Sequence, residues 1–155
     1  MRAIMTLLAA ALSGVLGAAE KERSISLGDV PPEIKAAADK AVPGAKWHGA
    51  EQETDKGQTF YELKGKSAEK GEVEVEITPD GKLLQTEVEV PLKEVPEAVR
   101  NTLKTRWPDF KPKEVKAVTR QDGTQGYEFE QSKAGGKEFE VFISGDGQTV
   151  DVREE

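Results

Sequence analysis

Three arrangements of residues in this sequence could do chemistry. The first is an Asp-Gly pair that occurs twice in like surroundings, Asp80-Gly81 within ITPDGKLL and Asp146-Gly147 within ISGDGQTV. Such a pair could belong to a cation loop, a phosphate cradle or a tight turn. Neither copy has the D-x-[DN]-x-[DN]-G spacing of a calcium loop, and neither has the Lys-Ser/Thr of a phosphate loop. Alternating apolar runs flank both, which predicts a hairpin in which both residues of the pair take positive φ. The second arrangement is a row of carboxylates, Glu72, Glu74 and Glu76, at every other position. Paired carboxylates can do acid–base work only where their surroundings push the two pKa values apart, and a uniformly wet row does not. The third is His48, the one histidine in a chain with no cysteine. Any Ser-His-Asp arrangement would have to use it. It follows Trp47 in a connection after a helix, where an exposed loop imidazole is expected.

The elements that carry these residues come in two similar sets. VPPEIKAAADKAVPGA from Val30 matches VPEAVRNTLKTRWPDF from Val95 at a spacing of 65 residues. TFYELKGK from Thr59 matches QGYEFEQS from Gln125, and GEVEVEITPDG from Gly71 matches GKEFEVFISGDG from Gly136, at a spacing of 66 from Tyr61 and Tyr127 onward. The two sets are expected to span residues 29–90 and 94–155, with a join too short to let them separate. Each opens with an amphipathic helix, whose apolar stripe is Ile34, Ala38 and Val42 in one and Val99, Leu103 and Trp107 in the other. Prolines at Pro31, Pro32 and Pro96 suit the first turn, and Pro43 and Pro108 end each helix. Strands follow: Val73, Val75 and Ile77 alternate with the glutamates, and Phe139, Val141 and Ile143 repeat the pattern. The resulting expectation is an α+β protein of two tandem units, each one helix packed on a four-stranded antiparallel sheet.

Residues 1–19, MRAIMTLLAAALSGVLGAA, read as a signal peptide with small residues before the cut, and residues 20–28 as a linker. The apolar run is too short for a comfortable membrane span, so no stable membrane insertion is expected after cleavage. Without cysteine there is neither a lipid attachment at the cut nor a disulfide. The chain carries 22 Lys+Arg against 29 Asp+Glu. That balance repels phosphate backbones and argues against nucleic acid as a partner.

The order helix, Pro-Gly break, strands and Asp-Gly turn, seen twice, resembles the PepSY-like family, also described as beta-lactamase-inhibitor-like. The likeness rests on Val30-Pro31, Pro43-Gly44-Ala45, Tyr61-Glu62-Leu63 and Asp80-Gly81-Lys82-Leu83-Leu84, then on Val95-Pro96, Trp107-Pro108, Tyr127-Glu128-Phe129 and Asp146-Gly147. It implies a secreted or periplasmic, non-enzymatic binding module whose partner is an envelope or secreted protein, such as a peptidase or other hydrolase. No cofactor is implied. Phe60 and Phe142 sit out of phase with the inward residues, so they are expected on the wet sheet face with Trp47 nearby. These three, with Glu72, Glu74 and Glu76 as a charged rim, form the expected partner surface. The competing expectation is an acidic cation-binding or sensing module built on the same glutamates.

Overall fold

The computed structural model describes residues 21–55, 57–132 and 138–154. The expected signal peptide, residues 1–19, lies outside them. The described chain runs β1 (Lys21–Ser24), α1 (Pro32–Ala41), β2 (Lys46–Asp55), β3 (Gln58–Ser67), β4 (Gly71–Ile77) and β5 (Leu83–Glu89). A 3-10 turn at Leu92–Glu94 leads to α2 (Glu97–Arg106), β6 (Glu114–Arg120), β7 (Gln125–Ser132), β8 (Glu138–Ser144) and β9 (Val150–Glu154).

The strands form one sheet in chain order, β1 to β9, with every neighbouring pair antiparallel. This corrects the expectation of two units, each with its own four-stranded sheet. The decisive contact is the pairing of β5 with β6, in which Gln85 faces Arg120 and Glu89 faces Lys116. Two separate sheets would each leave an edge of unpaired N–H and C=O groups at this point. Pairing β5 with β6 satisfies both edges at once, and the short join brings them together. The segment expected as a linker supplies β1, which extends the sheet by pairing Glu22 with Glu53 and Ser24 with Glu51.

Both helices lie on one face. In α1, Ile34 and Ala38 are fully buried over Val73, Val75 and Ile77. In α2, Val99 and Leu103 are buried over Phe129, Val141 and Ile143. Val42 and Trp107 close the two helices by donating their N–H groups to Ala38 and Leu103. Cross-strand partners share a face, so the chain of pairs Glu62–Glu76, Glu74–Glu87, Glu89–Lys116 and Lys116–Glu128 runs along the opposite, helix-free face.

That free face is concave. A flat nine-stranded sheet would hold its edge strands about 38 Å apart, at about 4.8 Å per step. Yet Glu22 of β1 and Arg153 of β9 line one cavity of about 110 Å³. Only a sheet curled toward its charged side can do this, giving a half-barrel with helices outside and carboxylates within.

The Asp-Gly pairs are turns, with one difference from expectation. Gly81 N–H bonds to Thr78 O at 2.8 Å, and Thr78 N–H bonds to Lys82 O at 2.9 Å. Pro79 and Asp80 are therefore the central residues of the turn, and Gly81 follows at φ 82°. This is a three-residue loop rather than a two-residue one. The Asp80 carboxylate accepts from the Thr78 hydroxyl, and Asp146 accepts from Ser144 Oγ and from Gln148 N–H. Both carboxylates hold their own loops.

One continuous sheet should unfold as one unit. Calorimetry is expected to show a single transition with equal calorimetric and van't Hoff enthalpies. Two resolved transitions would mean that the halves are independent. Gly126→Ala is expected to cost roughly 1–3 kcal/mol in chemical denaturation, because an added Cβ would meet the Phe142 ring at 2.4 Å and Ile143 O at 2.6 Å.

Candidate functional site

The curl gathers side chains from all nine strands around the cavity. Among the described residues, eleven glutamates line it: Glu22, Glu51, Glu53, Glu62, Glu74, Glu76, Glu87, Glu114, Glu128, Glu130 and Glu140, and three cations accompany them, Lys64, Lys116 and Arg153. Counted formally, these described residues carry an excess of eight acidic groups, as large as the formal net charge of the whole chain, −7. The acidity of this protein is thus an internal feature.

Lys116 is the hub. It is 7% exposed, and its Nζ lies 2.8 Å from Glu74, 2.7 Å from Glu130 and 3.4 Å from Glu87. Burial alone would favour the neutral amine. The charges of Glu87, Glu74 and Glu130 outweigh burial and raise its pKa, so the ammonium stays charged. Lys64 plays a like part on the β2–β3 side, 3.1 Å from Glu51 and 2.9 Å from Glu62. Burial pushes Glu51 up, but the hydrogen bond and charge of Lys64 bring it below the usual carboxylate range.

Among the described residues, three cations cannot serve eleven carboxylates. The oxygens of Glu51, Glu53 and Glu62 lie within 4.8 Å of one another, as do those of Glu128, Glu130 and Glu140. Two ionised carboxylates at that distance repel by about 3.5 kcal/mol at an effective dielectric of about 20. Protonating one glutamate at pH 7 costs about the same, near 3.5 kcal/mol. Desolvation therefore tips the balance toward the proton. Burial and the charge of Glu62 raise Glu53 to about 9. Burial and the charge of Glu87 raise Glu76 to about 8. Burial raises Glu87 to about 7 despite Lys116. Burial, then Glu87 and Glu140, hold Glu128 well above its ordinary value.

The expected partner residues are distributed differently. Phe60 and Phe142 do lie on the helix-free face, but they are buried, at 7% and 4% exposed. The curl that encloses the carboxylates encloses these rings too. Phe142 sits beneath the Arg120 guanidinium, 3.8 Å from the ring centroid, and over Gly126. By the 66-residue spacing Gly126 stands where Phe60 stands and Phe142 where Glu76 stands. One phenylalanine is therefore supplied in each half, from different strands. Trp47 packs partly against the helix-side core, over Gly65, and donates its indole N–H to Asp39 at 2.8 Å. Glu76 is buried and Glu74 half-buried, which corrects the expectation of a wet row; Glu72 is half-exposed and meets exposed His48 at 3.2 Å. Sequence reasoning missed Glu53, Glu62, Lys116, Glu128, Glu130 and Glu140. Their signal was available in part, since each alternates with a core-facing residue, as Glu128 and Glu130 do around Phe129. Gly65 and Gly126, isolated inside strands, also marked close approach by a neighbour.

A family model described as "Putative beta-lactamase-inhibitor-like, PepSY-like" matches residues 70–151. The chain belongs to the PepSY-like family. The model of the related PepSY domain, "Peptidase propeptide and YPEB domain", matches residues 32–80. No curated protein matches the sequence. Among solved structures, a DUF2874 family protein from Bacteroides uniformis is similar at 17% identity and a TM-score of 0.57, covering 80% of this chain and 88% of that one. A "putative periplasmic" protein from Bacteroides eggerthii shares 18% identity, with a TM-score of 0.57 and the same coverage. A BLIP-like protein from Bacteroides fragilis shares 20% identity and a TM-score of 0.56, covering 82% and 89%. These likenesses show a shared fold for the PepSY-like chain. No described helix is long and apolar enough to cross a membrane.

The raised glutamates set a pH dependence of stability. Each binds a proton in the fold that it releases in the unfolded chain above about pH 4.5, so stability falls as pH rises toward the folded values of about 7 to 9. The melting temperature is expected to drop by roughly 5–10 °C between pH 5 and pH 9; a rise over that range would contradict the arrangement. Lys116→Met is expected to cost about 3–5 kcal/mol at pH 8, because it leaves carboxylates without their cation. The loss should shrink at pH 5, where they protonate.

Proposed function

We propose that this chain is a non-catalytic binding module of the periplasm or secreted space, with an envelope or secreted protein as its partner. A peptidase or other hydrolase is the class that the family supports, through the peptidase-propeptide description of one matching domain and the BLIP-like solved relative. Catalysis finds little footing among the described residues. His48 is exposed and paired with Glu72, and the carboxylate cavity is too small to admit more than ions and water.

The observation that carries the reading is an apolar groove at the outer end of α2. Leu92, Leu103, Trp107, Phe110, Pro108 and Pro112 line about 300 Å³, bordered by Arg100 and Lys104. Leu92 is 42% exposed. Aromatic and proline-walled hollows with a cationic edge are the form that anchor sites for partner chains take. In the first half, Val42 and Ala45 stand in place of Trp107 and Phe110, so the helix–sheet packing does not itself require the larger rings. This groove replaces Phe60 and Phe142 as the proposed anchor, since those rings face inward. Of the residues first expected there, Trp47 and Glu72 keep some surface, at the other end of the sheet.

Leu92→Asp tests the site with little risk to folding. Titrated against a secreted peptidase and a periplasmic beta-lactamase, the chain is expected to bind or inhibit one of them. Leu92→Asp should weaken that at least tenfold while the melting temperature stays within about 2 °C. Equal potency of the variant would move the site elsewhere, and activity against neither class of hydrolase would count against the partner reading.

A further inference from the structure

The two halves of the cavity treat their carboxylates differently. On the β2–β3 side, Lys64 reaches Glu51 and Glu62 and supplies a built-in cation to that group. By the 66-residue spacing, Lys64 corresponds to Glu130 and Glu62 to Glu128. The hairpins share one register, with Lys64 facing Glu74 in one and Glu130 facing Glu140 in the other. In the second half the tethered ammonium is therefore exchanged for another carboxylate. Lys116 compensates only in part. Its Nζ is drawn to Glu130, Glu74 and Glu87.

Glu128 is left over. It is 8% exposed and lines the cavity. Among the described residues it makes no hydrogen bond and no ion pair of its own. Its carboxylate oxygens lie within 4.8 Å of those of Glu130 and Glu140, and Arg153 stands 3.8 Å from Glu140. A buried carboxylate without a partner costs several kcal/mol unless it takes up a proton or a cation. Hard oxygen donors spread by up to 4.8 Å suit an ion held at 2.3–2.6 Å from each oxygen. Zinc prefers nitrogen and sulfur donors, and magnesium demands a tighter octahedron than such a group provides.

We propose that Glu128, Glu130 and Glu140 form a calcium site at the β7–β8 side of the cavity. Three carboxylates with water completing the shell place its affinity in the millimolar to tenth-millimolar range of extracellular calcium modules. Calcium competes there with protons on Glu128, whose neighbours are Glu87, Glu140, Lys116 and Arg153. Binding should therefore strengthen as pH rises. The inference rests on the inner cavity and stands apart from the groove at α2.

The test is thermal unfolding of the full chain at pH 8 with 10 mM calcium chloride, then excess chelator, alongside calorimetric titration with calcium chloride. The melting temperature is expected to rise by about 3–6 °C and to fall back with chelator. Glu128→Gln should abolish the rise and the heat of binding while leaving the metal-free melting temperature unchanged or higher, because it removes a repelled charge. Glu62→Gln, in the group that holds Lys64, should keep the response. At pH 5 the rise should be smaller than at pH 8. Should Glu128→Gln fail to fold, Glu140→Gln takes its place with the same expectation. No shift with calcium, or a shift of equal size in Glu128→Gln, overturns the proposal.

Discussion

Much of this molecule depends on one ammonium group. Lys116 sits on the first strand of the second half, yet two of its three carboxylate partners, Glu74 and Glu87, belong to the first half. The β5–β6 seam is thus held twice, by its ladder of backbone hydrogen bonds and by a buried charge that reaches across it. Replacing the whole charged cluster by apolar groups of the same shape would cost little, whereas removing the cation alone leaves its carboxylates buried and unpaired. Its importance is specific. Take it away and its carboxylate partners from three strands, Glu74, Glu87 and Glu130, face one another without it in a space of about 110 Å³. The curl of the sheet is tolerable because a positive charge stands at its centre.

The outer and inner faces divide the energetic work. Outside, two helices bury Ile34, Ala38, Val99 and Leu103 against valine, isoleucine and phenylalanine, and this apolar packing supplies the stability. Inside, the glutamates oppose folding as pH rises, and protons, lysines and arginine offset them. A domain of ordinary stability has only about 5–15 kcal/mol to spare. Several carboxylates shifted by two or more units draw on a sizeable share of that margin, so the face is costly to keep on stability grounds alone. That cost is our reason for proposing the calcium site there, apart from the groove at α2.

Near-repetition with substitution explains the asymmetry. Phe60 opposite a later Gly126, Glu76 opposite Phe142, and Lys64 opposite Glu130 preserve the volume of the inner face while redistributing its charge. On the helix side Val42 and Ala45 correspond instead to the larger Trp107 and Phe110, whose rings meet Phe139 at 6.0 Å and 5.7 Å between centroids. The second half thereby acquires both an unneutralised carboxylate and an accessible aromatic groove.

Alternation in GEVEVEI and its counterparts determined which residues share a sheet face, and the Ile34 and Val99 stripes determined where the helices would lie. Those are local properties: a strand's period is two and a helix's is 3.6, whatever surrounds them. The turns at Asp80-Gly81 and Asp146-Gly147 were legible for the same reason, and so was the family resemblance carried by their order. Curvature was not. Alternation separates two faces without saying which one bends inward, because bending is set by how the helices press on one side and how the strands twist together. Nor could it say that β5 would pair with β6 and merge the halves, a choice made by edges that exist only once both halves have folded. On that choice hang the burial of Phe60 and Phe142, the enclosure of Glu76, and the meeting of Lys116 with Glu74, 42 residues away. Spacing along the chain carries no information about such a distance, and only the β5–β6 pairing within the curled sheet brings those charges together.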